Sequence, residues 1–503
     1  MGNRPRVVIV GAGPGGLAAA MQLSHAGLQV TVLEKQTWVG GRTATFQQGG
    51  FSFDVGPTFF LYPRVLEEIF ASVGRDLFRE IPMKRLFPQY RIRFGTGGQI
   101  DATADLEQLE QQIQALSPSD AGAISRYMRD NRRKLARFRP ILESPFDGWR
   151  NYLHWHMLAA LPYLKPWRSL ACELNHYFKD PRLAIAFSFQ SKYLGMSPFK
   201  CPSLFSILSF LEYEYGVFHP RGGCGAVSTR MAEIAVELGA EMRLAEPVTG
   251  FSFQGRRPTV VHTNHASYAA DAVVINADFA LAMRDLVPNS LRRRWSDERI
   301  ASKRFSCSTF MMYLGLNKIY QDLPHHSIYI ADDYSQNLRE IEDLRVLPRD
   351  PSFYVQNAAV TDSSLAPKGK SGIYVLVPVP HLDQRHSWTE ATTAQFRVQI
   401  LNQLARIGLD DIQPHIETER IITPVQWNED FGLYRGSTFN LMHNLGQMLH
   451  RRPHNRFEDL QNVFLVGGGT HPGSGLPVIY ESARIVCKQL LRMFGIRRVA
   501  TSK

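Results

Sequence analysis

The stretch Val7-Val8-Ile9-Val10-Gly11-Ala12-Gly13-Pro14-Gly15-Gly16 decides the fold. An apolar strand runs into a glycine turn, and an alanine-rich run from Leu17 to His25 follows. After Ala26-Gly27 a second apolar run, Val30-Thr31-Val32-Leu33, closes in Glu34. Strand, turn, helix and second strand form the opening unit of a Rossmann-like α/β domain. Gly11 permits the tight turn, Gly13 lets the backbone approach a pyrophosphate, and Gly16 lets the helix pack closely on the strand. Together with Gly15 they open a helix whose free N–H groups and dipole favour phosphate oxygens. Glu34 stands about 20 residues past the glycines, where an acid accepts a hydrogen bond from a ribose hydroxyl. A dinucleotide site is therefore predicted.

The next segments choose the dinucleotide. Glu34-Lys35 is followed by Val39-Gly40-Gly41-Arg42 and then by Asp54-Val55-Gly56-Pro57. A glycine pair and an arginine directly after the ribose acid resemble the FAD-binding amine-oxidase-like flavoproteins. In those proteins this segment runs along the flavin side of the cofactor. The resemblance implies FAD, with Lys35, Gly41, Arg42, Gly56 and Pro57 joining the glycine loop and Glu34. Val248, in Glu246-Pro247-Val248, lies where an adenine-flanking valine sits in related flavoproteins.

Across 503 residues more than one lobe is expected, because a single core rarely grows that far. The reading divides the chain into residues 1–105 (FAD-binding domain, first part), 106–218 (helical insert), 219–303 (FAD-binding domain, second part), 304–455 (substrate domain) and 456–503 (FAD-binding domain, C-terminal part). Amphipathic helices over Leu106–Leu116 and Ala121–Phe138 lead out of the first part. From Trp149 the chain is rich in Trp, Tyr and Leu, through Tyr152–Leu161, Tyr163–Arg168, Phe187–Met196 and Leu204–Tyr215. Two readings stand for that insert: the core of a helical lobe, or an apolar channel opening at a membrane interface, where Trp and Tyr keep their rings buried and polar ends wet. Strands over Thr309–Leu316, Ser352–Val355 and Ile373–Pro378 suggest a mixed sheet for the substrate domain. A late strand, Val463–Val466, a turn containing Gly468 and Gly469, and a helix after Pro477-Val478 return to close the cofactor site.

Composition narrows the partners. Lys and Arg exceed Asp and Glu by 57 to 46, a net charge of +11 spread along the chain and not gathered in a basic tract. That excess suits a solvated face or anionic headgroups at a membrane surface. No signature of nucleic-acid binding is present. Five scattered cysteines never reach C-x-x-C spacing and read as buried thiols, and the pairs His154/His156 and His325/His326 lack companion ligands, so no metal site is expected. The N-terminal apolar run passes straight into the nucleotide motif and is not a signal peptide. Met1-Gly2-Asn3 begins like a myristoylation site, but Arg6 occupies the position that needs Ser or Thr. No apolar window reaches the ~20 residues of a spanning helix.

Six further segments carry a more specific resemblance: Pro220-Arg221-Gly222-Gly223, Asn276-Ala277-Asp278, Val360–Pro367, Val377–Leu382, Arg452-Pro453-His454-Asn455 and Val466–Gly473. With them nearly the whole chain resembles the bacterial-type carotenoid desaturases, phytoene desaturases most closely. The resemblance implies an FAD-dependent oxidoreductase that removes two hydrogens beside an existing double bond, giving neurosporene- or lycopene-type products. It implies a carotenoid hydrocarbon substrate, quinone or oxygen as electron acceptor, and peripheral attachment at the cytoplasmic side of a membrane. Two segments depart from the pattern. Gly467-Gly468-Gly469 lacks the acid that many related flavoproteins use to hold the ribityl chain, and Gly475–Tyr480 differs from the phytoene form, leaving substrate chain length open.

Arg168 is read as a functional polar residue near the channel, against a surface arginine. His471 is read as shaping the loop at the flavin ring, with acid–base catalysis as its sharper alternative. Asp362 in Thr361-Asp362-Ser363-Ser364 is read as a turn cap. Other functions remain in view: a desaturase of the thirty-carbon diapophytoene, a carotenoid isomerase or oxidase, a non-catalytic lipid-binding chaperone resembling Rab GDP-dissociation inhibitors, and a soluble amine oxidase.

Overall fold

A computed structural model describes residues 4–383, 385 and 387–496. Met1-Gly2-Asn3 and the basic tail of Arg497, Arg498 and Lys503 lie outside the described residues.

The opening stretch forms the strand Arg6–Val10, the helix Pro14–His25 and the strand Gln29–Leu33. Arg6–Val10 and Gln29–Leu33 lie in a five-stranded parallel sheet with Glu241–Arg243, Ala272–Ile275 and Val463–Leu465, in the order Glu241, Gln29, Arg6, Ala272, Val463. Strands buried on both faces read as continuous apolar runs, as Val7–Val10 and Val273–Ile275 do. Ala18, Ala19 and Ala20 have no exposed surface, so the first helix seats closely between this sheet and the last helix, Leu476–Met493. Residues more than 450 positions apart in sequence thus share one core, around Leu17, Ala483 and Val486.

A second, seven-stranded mixed sheet runs in the order Ile416–Ile422, Ser308–Leu316, Ser371–Val379, Phe353–Asn357, His326–Ile330, Tyr90–Phe94, Gln99–Ala102. Its last two strands correct the boundary at 105. The hairpin Tyr90–Ala102 was read with the nucleotide part, but Arg91–Phe94 pairs in parallel with Ser327–Ile330 and extends the mixed sheet.

The insert between Leu106 and Tyr215 is helical, its longer helices being Leu106–Leu116, Ala123–Leu142, Trp155–Leu164 and Ser206–Tyr215, with the short helices Leu170–Leu174 and Pro181–Ala186 between the last two. Asp105 caps the first of them by accepting from the amides of Glu107 and Gln108. The insert shares a core with the mixed sheet, where Tyr127, Phe187 and Phe210 pack in one cluster with Ile92 and Ile328. Much of the aromatic content is therefore core. Phe187 is fully buried between Phe178, Tyr127 and Tyr213. Other aromatics face outward: Trp149, Trp155 and Trp167 are each more than 60% exposed. No helix among the described residues is long and apolar enough to cross a membrane. Four cysteines are buried as read, whereas Cys172 is exposed.

Candidate functional site

A single cavity of about 610 Å³ runs from the parallel sheet to the mixed sheet. That volume lies within the range of small-molecule and cofactor sites. Its two ends differ in chemistry.

The polar end is built by the glycine loop. Gly11, at φ +99°, takes a conformation that L side chains rarely adopt, and an added Cβ there would meet the Asn276 carbonyl oxygen at 2.7 Å. Gly13 caps the first helix without any side-chain acceptor and lines the cavity with Pro14, so the helix begins at the cavity wall with its N-terminus unclaimed by a cap. A Cβ on Gly13 would sit 2.9 Å from Asn276 Nδ2, so glycine is also needed there for close packing within the protein. Glu34 holds the loop from the second strand: its Oε2 accepts from the Ala12 amide at 2.7 Å and its Oε1 from the Gln36 amide at 2.9 Å. Burial pushes its carboxyl up, against those two donors. Gly41 crosses close to Gly13, with only 3.7 Å between its Cβ position and Gly13 Cα.

Of the residues read as cofactor-binding, Gly11, Gly13, Glu34, Lys35, Gly41, Arg42, Gly56, Pro57, Val248, Gly468, Gly469 and Pro477 all line this cavity. Gly15, Gly16 and Val478 do not. A Cβ on Gly16 would strike the Gly11 carbonyl at 2.3 Å, which makes it a packing glycine beneath the loop. Gly15 backs onto Asn276 and Ile479, and Val478 lies beyond Pro477 in the first turn of the last helix.

Among the lining residues that escaped the sequence reading are Asn276, Asp278 and Asn440. The first two sit in a motif that carried the family resemblance, directly after a buried strand. Asn276 Nδ2 donates to the Gly11 carbonyl at 3.1 Å and locks the turn. Asp278 caps the helix Phe279–Leu286 and accepts from Asn440 Nδ2 at 2.8 Å. Burial raises its pKa to about 6, opposed by nearby backbone donors and Arg42. Arg42 is half-buried, its guanidinium donating to the Thr438 carbonyl. Asn440 Oδ1 lies 3.1 Å from the position of a Cβ on Gly469. An acid and an amide thus stand beside the last glycine turn, which carries no acid of its own.

Both residues read as catalytic lie outside the cavity. Arg168 is on the surface of the insert, its Nη1 3.4 Å from Glu173 Oε2, in a group with Lys165 and Lys134. His471 is buried, its Nε2 3.0 Å from the Ser144 carbonyl, and burial lowers its pKa to about 4, so it is neutral and walled off. Asp362 caps the turn Ser363–Leu365 as read, accepting from Ser364 N at 3.1 Å, and also accepts from Gly222 N at 2.7 Å.

The other end of the cavity is lined by apolar side chains from the insert and the mixed sheet, among them Phe59, Leu208, Leu211, Ile328, Ile330 and Leu376. A phosphate cradle continuous with an apolar chamber defines a two-lobed flavoprotein oxidoreductase. The cradle fits FAD: the glycine loop and helix N-terminus would hold its pyrophosphate, Glu34 its ribose, and Arg42 and Gly56-Pro57 the flavin side.

Comparison with known proteins agrees with this class. Residues 14–491 match the family model described as flavin containing amine oxidoreductase. The chain is 43% identical over 499 residues to a 4,4'-diapophytoene desaturase (4,4'-diapolycopene-forming) of Methylomonas sp, covering 99% of this chain and 97% of that one. It is 34% identical to a lycopene-forming phytoene desaturase of Pantoea ananas, with 96% and 98% covered. A solved structure of a putrescine oxidase variant superposes with a TM-score of 0.63 at 15% identity, over 98% of this chain and all of that one, a likeness of fold alone. The chain belongs to the carotenoid desaturases of the FAD-dependent amine-oxidase-like superfamily.

Proposed function

We propose that the enzyme desaturates a thirty-carbon carotenoid, 4,4'-diapophytoene, in preference to forty-carbon phytoene. The observation that carries this is the 43% identity, end to end, to a relative named for that substrate, against 34% to the phytoene enzyme. The earlier preference for phytoene gives way on that ground. A hydrocarbon offers no hydrogen-bond handle, so recognition rests on burying apolar surface, at roughly 25 cal/mol per Å². Leu208, Leu211, Ile328 and Leu376 supply such a surface beside the cofactor cradle. Bound FAD would supply the hydride acceptor; the protein holds the polyene against it and excludes water. Expression in cells that make diapophytoene, and separately in cells that make phytoene, tests the proposal by pigment analysis. Desaturated thirty-carbon product is expected, and conversion of phytoene alone would overturn the assignment.

Peripheral attachment to a membrane is part of the same reading, because the substrate dissolves in bilayers. Its support is the exposure of Trp149, Leu153, Trp155, Leu158 and Trp167, close in sequence to an exposed Arg150 and to the partly exposed, Glu173-paired Lys165 and Arg168. Exposed Trp beside basic residues suits the headgroup boundary. Co-sedimentation with anionic vesicles should fall in a Trp155→Ser/Trp167→Ser double variant. Wild-type protein that stays in the supernatant would count against it.

A further inference from the structure

Among the described residues three acids line the cavity: Glu34, Asp278 and Asp285. Glu34 faces the ribose of the adenosine half, and Asp285 is exposed and paired with Arg284. Asp278 is left with no group of the cofactor assigned to it. The segment that it ends fixes its place. Asn276 lies beneath the glycine loop, its side-chain atoms 2.9, 2.8 and 2.8 Å from the Cβ positions of Gly13, Gly15 and Gly16. Two residues on, Asp278 reaches Asn440, which stands against Gly469. Asp278 is therefore set between the pyrophosphate loop and the last glycine turn, and Gly467–Gly469 brings no side chain of its own.

Asn440 is arranged to hold that carboxylate. Its Nδ2 donates to Asp278 Oδ2 at 2.8 Å and its Oδ1 accepts from the Leu441 amide at 2.9 Å, so the amide cannot turn over without losing both bonds. Its backbone lies at φ +66°, a left-handed conformation that costs free energy in any residue but glycine and gathers at binding sites. Asp278 Oδ1 accepts from Leu281 N at 3.1 Å. Each carboxylate oxygen has two lone pairs, so each keeps one acceptor position. Asp278 is half-buried and lines the cavity, whereas Asn440 and Phe279 beside it are buried. Helix capping does not account for this arrangement. A cap needs one acceptor oxygen, and asparagine serves as well as aspartate. The second oxygen, and the left-handed asparagine that grips it, are left over.

We propose that Asp278, positioned by Asn440, accepts hydroxyl groups of the ribityl chain, the polyol that joins the pyrophosphate of FAD to its flavin ring. Asp278 has this role whichever carotenoid the apolar chamber takes. Its chemistry selects the polyol. A carboxylate repels phosphate, which the glycine loop and helix N-terminus receive instead. Polyol hydroxyls donate, and an ionised carboxyl only accepts. Bonds of that kind are roughly twice as strong as neutral ones. Along FAD the ribityl chain follows the pyrophosphate on the side away from the adenosine, and Glu34 marks the adenosine side.

The test titrates full-length protein freed of flavin, at pH 8, with FAD and separately with ADP. ADP carries the adenosine and the pyrophosphate but no ribityl chain. Asp278→Asn keeps a capping oxygen and the shape of the side chain while removing its charge, so its thermal midpoint should stay near wild type. Its FAD affinity should fall about 10- to 150-fold, the order of a hydrogen bond to a charged group, with ADP affinity unchanged. Glu34→Gln, on the adenosine side, should weaken FAD and ADP alike. Asn440→Gly keeps the left-handed backbone without the side chain and should also lose FAD selectively; it decides the matter if Asp278→Asn does not fold. Equal losses of FAD and ADP, or an unchanged FAD affinity, would overturn the role of Asp278. Wild-type protein that binds neither ligand overturns the dinucleotide site itself.

Discussion

Glu34 Oε2 accepts the Ala12 amide at 2.7 Å, so the acid ending the second strand grips the middle of the glycine loop that follows the first. The same carboxylate that is to meet a ribose hydroxyl therefore also shapes the phosphate turn. Its other oxygen accepts from Gln36 N, which leaves each oxygen one lone pair for the cofactor. In Glu34→Gln one oxygen becomes an NH₂ that must face a backbone N–H. FAD affinity should drop by about 1 to 3 kcal/mol, roughly 5- to 150-fold, with the fold retained. Flavin titration of apoprotein measures this, and unchanged affinity would detach Glu34 from the cofactor.

Gly13→Val is expected to be more severe, for two reasons that act together. The new side chain projects into the cavity where pyrophosphate should approach, and its Cβ lies 2.9 Å from Asn276 Nδ2. Asn276 would have to release the Gly11 carbonyl. Purified variant should be colourless and inactive. Stoichiometric flavin in it would mean that the pyrophosphate lies elsewhere.

The parts of this site that sequence made legible share one property: their chemistry is local. Gly11 and Glu34 lie in a short span whose spacing alone implies strand, turn, helix and acid, and Arg42 and Pro57 follow from a nearby segment that resembles the FAD-binding flavoproteins. Asp278 and Asn440 form one hydrogen-bonded pair from positions 162 residues apart, and no local pattern announces such a pairing. His325 and His326 were visible as a doublet but offered no metal ligands; their neighbours Tyr354 and Thr58 come from other strands and turns. The hairpin at Tyr90–Ala102 was legible as strands, yet its partner His326–Ile330 lies over 200 residues away, so sheet membership was not. Arg168 was chosen for its aromatic setting, and that setting proved to be an outer face.

Leu208 and Phe187 separate chamber from core within one insert. Leu208 lines the cavity, whereas Phe187 is fully buried against Phe178, whose ring lies 4.6 Å away. A charge at Leu208 spoils an apolar binding surface but can keep water through the cavity. Leu208→Asp should keep FAD and fold while losing desaturation. Phe187→Asp adds an unpaired buried charge to a lost aromatic contact, where truncation alone costs about 3 to 5 kcal/mol. It should yield unfolded or insoluble protein. Thermal midpoint, flavin content and pigment profile distinguish the two. A stable, flavin-bound Phe187→Asp protein would contradict this division.

Glu212 sets the pH dependence of stability. It is fully buried behind Tyr90 and Gln190, with its Oε2 accepting from Tyr90 Oη at 2.8 Å and Gln190 Nε2 at 2.9 Å. Burial outweighs those donors and pushes its pKa above the usual glutamate range, up to about 7. A raised pKa means that the folded state binds the proton more tightly than the unfolded chain. The resulting stability is fully present below the unfolded pKa and is lost as pH rises through about 7. Asp278, at about 6, and Glu481, at about 7, act in the same direction. Glu212→Gln keeps an acceptor for Tyr90 and has no charge to bury. Relative to wild type it should become more stable between about pH 5 and 8, by up to about 3 kcal/mol, offset by about 1 kcal/mol for a buried amide without a full set of partners. The variant should keep a shallower slope from Asp278 and Glu481. Urea unfolding of both proteins across that range is the measurement, and parallel curves would show that Glu212 stays ionised in the fold.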